Sequence, residues 1–216
     1  MLKLYTWTTP NGYKVPIMLE ELGLEYELHM VNIAKGEQME LEFLGMNPNH
    51  KIPVLVDEDA EGGPITIFES GAILLYLAEK TGKFVPSDIV GKYSVIEWLM
   101  FQMASVGPMF GQASHFIKFA LEKIEYAVKR YSDEVVRLAK VLDGQLSDLE
   151  YIAGDYSVAD MATWPWVRSA ITLEVIDLPA YANLKRWFDT MDGRPAVKAA
   201  IEKIDAAKPA ELAKPA

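Results

Sequence analysis

Three short stretches of the sequence hold residue types suited to binding a small anionic molecule. The first, Thr8-Thr9-Pro10-Asn11-Gly12, is a run of turn formers between a strand-like segment, Leu2 to Thr6, and a helical one. A helix opening presents backbone N–H groups and a partial positive charge, which stabilise an anion. Thr9 and Asn11 add a hydroxyl and an amide there, although helix capping alone is the simpler account of both. The second stretch, Asn49-His50-Lys51-Ile52-Pro53-Val54, sets a proline before an apolar strand, so the strand must begin abruptly. A cis Ile52–Pro53 bond would turn the Ile52 backbone outward to pair with an extended ligand. The frequency of cis X–Pro bonds, about one in twenty, points instead to trans. The third stretch, Phe68-Glu69-Ser70-Gly71, joins a strand to a helix. Ser70 can cap that helix or bind a carboxylate, and Glu69 can receive an ammonium group; as an isolated pair, capping explains them.

Other chemistries find little support. His29, His50 and His115 lack the paired spacing of a zinc site, and the sequence has no nucleotide-binding glycine signature and no serine-hydrolase elbow. The chain contains no cysteine, which excludes a disulfide framework, a thiolate metal site and a protein-thiol redox pair. Any sulfur chemistry must arrive with a ligand. Ser157-Val158-Ala159-Asp160 reads as a capping box with Asp in place of Glu, flanked by Tyr156 and Met161 as a hydrophobic staple. Trp98, Phe101, Met109 and Phe110 form a stripe that is core by default and can line an apolar pocket. Arg130 reads as part of a solvated helix face.

The elements that must position these residues fall into two patterns. Up to residue 80, strands (Leu2 to Thr6, Tyr26 to Val31, Val54 to Val56, Ile65 to Phe68) alternate with helices around Val15 to Leu22 and over Ser70 to Lys80. The β-α-β opening predicts a parallel pair, and the later hairpin predicts an antiparallel edge. Asn32 to Asn49 reads as an irregular crossover. Beyond residue 90 only helical patterns remain, over Tyr93 to Phe110, Tyr126 to Leu149, from Ser157, over Ala182 to Met191 and from Arg194-Pro195. The expected organisation is a small α/β domain over 1–81, an all-α bundle over 90–207 and a frayed tail over 208–216. Residues 1–80 carry 5 Lys/Arg against 13 Asp/Glu, so that domain has a net charge of −8. The whole chain, at −10 over 216 residues, is a poor match to nucleic acid. No signal peptide and no membrane-spanning run are recognisable, so a cytoplasmic protein is the default.

In combination, Asn47-Pro48-Asn49-His50-Lys51-Ile52-Pro53, Phe68-Glu69-Ser70-Gly71-Ala72-Ile73 and Tyr156-Ser157-Val158-Ala159-Asp160 resemble a cytosolic glutathione transferase over nearly the whole chain. Thr9-Pro10-Asn11-Gly12, Phe84 and Gly107-Pro108-Met109-Phe110-Gly111-Gln112 are most similar to the bacterial nu class, the disulfide-bond reductase type. The resemblance implies a thioredoxin-like first domain, an all-helical second domain, a homodimer and a cis bond before Pro53. It implies glutathione as co-substrate, with no metal. Glu69 and Ser70 would hold its γ-glutamyl end, Ile52 would pair with its cysteinyl unit, and Gln38 and Lys51 would lie towards its glycyl end. Thr9 and Asn11 would face the sulfur, ahead of Tyr5, which lies inside the strand. Arg130 would reach the ligand from the helical domain. The implied activity is reduction of a small disulfide. Transfer to apolar electrophiles or reduction of hydroperoxides is the alternative, and a non-catalytic binding module on the same fold is a further one.

Overall fold

The computed structural model describes residues 1–208. They form two compact units, Met1–Thr81 together with the chain from Arg194 on, and Gly82–Gly193.

In the first unit, β1 (Leu2–Thr6), β2 (Tyr26–Met30), β3 (Val54–Asp57) and β4 (Ile65–Phe68) form one sheet in the order β2-β1-β3-β4. β1 pairs with β2 in parallel, and β3 runs antiparallel to both β1 and β4, as the alternation of patterns predicts. The first helix, α1 (Pro10–Leu22), starts on a proline at its first turn, where no N–H is needed, and stops at Gly23 in the left-handed region. Every residue from Gly12 to Leu19 is buried, so α1 is a core helix. A short helix, α2 (Leu41–Met46), lies in the stretch read as an irregular crossover. Its single turn and a half is too brief for a periodic signal, yet Phe43 anchors it in a cluster with Val31 and Val54. α3 (Ser70–Thr81) packs Ile73, Leu74 and Leu77 inward.

In the second unit, α4 (Ile89–Phe101) passes through a π-helical turn, Gln102–Val106, into α5 (Gly107–Ser114), where one continuous helix is expected from the sequence. Pro108 at the start of α5 has no N–H to continue the regular ladder. α6 (Glu125–Gln145) ends four residues before Leu149 because Arg186 takes the carbonyls of Leu146 and Leu149, at 2.6 and 2.8 Å. α7 (Val158–Thr172) opens on the predicted capping box. Asp160 also accepts from Ile152 N–H at 3.0 Å and from Trp187 Nε1 at 2.8 Å, a partner on α8 (Ala182–Asp192) that local sequence does not reveal.

The last helix, α9 (Pro195–Ala206), departs from the expected boundaries: it belongs to the first unit, not to the bundle. The cause is its fit to α1. Arg194 grips Glu21 with two bonds of 2.7 and 3.1 Å, and Asp205 accepts from Tyr13 Oη at 2.7 Å. The tail expected over 208–216 lies, apart from Lys208, outside the described residues.

Candidate active site

Strand register decides which loops can cooperate. Thr6 lies beside Met30, Tyr5 beside Val54, and Val54 beside Phe68. The chain therefore leaves β1 and β2, enters β3 and leaves β4 at the same end of the sheet. The stretches holding Thr9 and Asn11, Gln38, Lys51 to Pro53, and Glu69 with Ser70 all emerge there. Segments far apart in sequence thus share one end of the sheet.

Each segment is held by its own local bonds. Thr9 is the N-cap of α1: its Oγ1 accepts from Gly12 N–H at 3.1 Å, and its own N–H donates to Trp7 O at 2.8 Å. The capping reading of Thr9 is therefore correct, and its hydroxyl proton still points away from that bond. Thr6 Oγ1 donates to Gly12 O at 2.9 Å. A Cβ on Gly12 would fall 1.9 Å from Trp7 O, so only glycine lets the loop close on the helix. Asn11, half-buried, is the next residue of the same turn.

Gln38 sits in a single 3₁₀ turn, Glu37–Met39. Asn32 shapes the approach: its Oδ1 accepts from Ala34 and Lys35 N–H, while its N–H donates to Glu37 Oε2 at 2.6 Å. Gln38 Oε1 is buried with no partner in the described structure, a polar atom available to a ligand. In the next loop, Asn47 is the organiser. Its Nδ2 donates to Lys51 O at 2.7 Å and its Oδ1 accepts from Asn49 N–H at 2.9 Å. This holds His50 at a φ of +57° and delivers a cis Ile52–Pro53 bond. The statistical expectation of trans is thus overturned, and the bond implied by the family resemblance is present. Ile52 is half-buried, Pro53 buried and Lys51 exposed.

At the end of β4, Glu69 adopts a φ of +69°. For a glutamate this conformation costs about 1–3 kcal/mol and gathers at functional sites. The kink exposes the Glu69 carboxylate and leaves Ser70 buried at the first turn of α3. Beneath them lies a residue that pattern reading passed over. Lys14 has no exposed surface, and its Nζ donates to Ser70 Oγ at 3.4 Å. Burial pulls its pKa down to about 7, against the attraction of Glu69. A signal existed: Lys14 lies three and four residues before Ile17 and Met18 and so shares their buried face.

Two further residues singled out in the sequence lie on other elements than these loops. Tyr5 stacks on His29 with ring centroids 4.5 Å apart, inside the strands. Arg130 is exposed on α6, in the second unit, beside Tyr126, Asp133 and Glu134. Of the aromatic stripe, Phe110 is fully buried, while Trp98 and Phe101 are half-buried and meet edge to face. The sheet-end site thus combines a helix opening with hydroxyl and amide groups, a kinked carboxylate over a buried amino group, and an unpaired amide oxygen. It is suited to an extended zwitterion with anionic ends.

Comparison with known proteins identifies the family. Residues 1–79 match the model of the glutathione S-transferase N-terminal domain, and residues 98–195 that of the C-terminal domain. The chain is 45% identical over 206 residues to the disulfide-bond oxidoreductase YfcG of Escherichia coli, covering 94% of this chain and 95% of that protein. A glutathione transferase from Burkholderia graminis, solved with two glutathione molecules per subunit, is 45% identical with a TM-score of 0.90, over 93% of this chain and 87% of that one. A Pseudomonas putida glutathione transferase, solved with one glutathione disulfide per subunit, is 41% identical with a TM-score of 0.90, over 93% and 90% of the two chains. Two matched domains, the αβ sheet order and near-complete coverage by these relatives place this chain in the glutathione S-transferase family.

Proposed function

We propose that this protein is a glutathione-dependent disulfide-bond reductase whose reacting sulfur is held at the opening of α1. The observation that carries the reading is the convergence of four loops at one end of the sheet in a chain without a cysteine. All the thiols of the reaction must be brought by ligands. The name of YfcG, and the two glutathiones or single glutathione disulfide bound by the related structures, support this chemistry.

In this scheme Glu69 receives the amino group and Ser70 the carboxylate of the γ-glutamyl unit. Ile52 pairs main chain to main chain with the cysteinyl unit, and Pro53 sets the strand start. Gln38 and Lys51 face the glycyl end. Thr9 and Asn11 donate to the sulfur, and the first turn of α1 adds its dipole. Each pKa unit by which the thiol is lowered represents about 1.4 kcal/mol. The first unit is strongly acidic, so these local donors must outweigh an unfavourable but screened field. The bound thiolate attacks one sulfur of the substrate disulfide, and the departing substrate thiolate takes up a proton. A second glutathione thiolate resolves the mixed disulfide, yielding glutathione disulfide and the second substrate thiol. Two thiols supply the two electrons.

We further propose a cytoplasmic homodimer. Exposed apolar side chains in each unit, Phe68 in the first and Ile89, Val90 and Tyr93 in the second, provide surface for a partner. Among the described residues no helix is long and apolar enough to cross a membrane. The decisive assay compares hydroxyethyl disulfide, chlorodinitrobenzene and a hydroperoxide at saturating glutathione. Turnover should favour the disulfide and collapse in the Asn11→Ala, Thr9→Ala double variant; full activity in that variant removes the assigned roles.

A further inference from the structure

Asn11 and Gly12 form the one Asn-Gly pair of the chain; Asn32, Asn47, Asn49 and Asn183 each precede a bulkier residue. In such a pair the following backbone nitrogen reaches the side-chain amide carbon with least obstruction, because glycine has no Cβ and the freest backbone. Glycine is nonetheless required here, since a Cβ on Gly12 would meet Trp7 O at 1.9 Å. Attack needs a Gly12 nitrogen that has lost its proton and an Asn11 backbone turned out of the helical region. The folded protein denies both. Gly12 N–H is held by Thr9 Oγ1 at 3.1 Å, Gly12 O accepts from Thr6 Oγ1 at 2.9 Å, and Tyr13 N–H donates to Thr9 O at 3.1 Å. The peptide units on either side of Gly12 are thereby fixed in the first turn of α1.

We infer that Asn11 is a site of spontaneous deamidation governed by this clasp: when the first turn of α1 opens, the side-chain amide is converted to a carboxylate, and the Thr9 and Thr6 hydroxyls set how often that happens. In the open turn Gly12 N gives up its proton and attacks Asn11 Cγ. The N–Cγ bond forms, the Cγ–Nδ2 bond breaks, and the amide nitrogen leaves as ammonia with that proton. One water then opens the cyclic imide at either carbonyl, giving aspartate or isoaspartate; nothing is oxidised or reduced. The modification stands apart from the ligand, but its effect on activity rests on the glutathione reading above. Either product replaces an amide donor by a carboxylate in the turn assigned to the thiolate, and isoaspartate also lengthens the backbone where the clasp must close. Conversion is therefore an irreversible inactivation.

The test incubates the full-length protein at mildly alkaline pH and scores amide-to-acid conversion of Asn11 by peptide mapping, counting isoaspartate separately. A helical turn opens and closes far faster than this conversion, so the rate follows the open population. Loss of the cap in Thr9→Ala should raise the rate roughly fivefold, while Thr9→Ser, which keeps the cap, should match wild type. Thr6→Val, which releases Gly12 O, should also convert faster. A comparison that needs no variant sets wild type against a synthetic peptide spanning Thr6 to Tyr13; the folded protein should convert roughly tenfold or more slowly. Equal rates in wild type and peptide, or equal rates in wild type and Thr9→Ala (no conversion in either included), overturn the inference. Saturating glutathione should hold the turn closed and slow wild-type conversion further, and disulfide reduction should fall in step with conversion. Cap-dependent conversion that ignores glutathione and leaves that activity intact supports the modification site and overturns the placing of the sulfur at the opening of α1.

Discussion

Thr9 offers a way to separate a structural duty from a chemical one within a single side chain. Its Oγ1 caps α1 through Gly12 N–H at 3.1 Å, and its hydroxyl proton is assigned to the glutathione sulfur. Thr9→Ala removes both. Loss of the cap should lower stability by about 1 kcal/mol, or about 2–4 °C in Tm for a chain of this size. Loss of a donor to a thiolate should remove about 1.5–3 kcal/mol of transition-state stabilisation, a roughly ten- to hundredfold fall in kcat/KM. Thr9→Ser keeps both functions and should stay within about twofold of wild type. Thr9→Asp is the informative case. Aspartate accepts the same N–H and complements the helix dipole, so Tm should match or exceed wild type. At a separation of roughly 5 Å its carboxylate would oppose a bound thiolate by about 3 kcal/mol, taking an effective dielectric of about 20. Activity should therefore fall at least as far as in Thr9→Ala while stability does not. Scanning calorimetry and glutathione-dependent reduction of hydroxyethyl disulfide read the two quantities independently. A Thr9→Ala protein that melts early but turns over at the wild-type rate would reduce Thr9 to a cap. A fully active Thr9→Asp protein would place the sulfur elsewhere.

Other residues give equally direct tests. Gly12→Ala forces a Cβ to within 1.9 Å of Trp7 O, so it should cost about 3 kcal/mol and lose glutathione affinity together with Tm, as calorimetry would reveal. Asp160→Asn puts an amide donor among the Ile152, Ser157 and Trp187 donors that now surround a carboxylate. Denaturant unfolding should show a loss of about 2–4 kcal/mol. Lys14 has a folded pKa of about 7 against an ordinary 10.5, so between those values the unfolded chain binds a proton that the folded chain does not. Ligand-free stability should consequently rise with pH through that window, relative to Lys14→Met, by several kcal/mol in total. A stability difference that stays constant from about pH 6 to pH 9.5 would refute the burial of a titrating amine.

Much of this protein could be read along the chain because much of it is local chemistry. Four strands, the stop at Gly23, the capping box at Ser157 and the proline start of α9 follow from periodicity and end signals, which act over a few residues. The absence of cysteine alone required that any sulfur come from outside. Thr9, Asn11, Ile52, Pro53, Glu69 and Ser70 could be singled out from their own stretches, whereas Gln38 and Lys51 came only from the family resemblance. Yet taken singly, Thr9 looked like a cap, Ser70 like another and Pro53 like an ordinary trans proline. Only the strand register brought their loops to one end of the sheet, because which segments become neighbours depends on pairing between residues some 50 positions apart. The same non-local packing drew α9 onto α1, set Trp187 on Asp160 and buried Lys14 under Ser70. Local pattern specifies what each segment can become; the balance of burial and pairing across the fold decides which charges lose their water and what they then must bind.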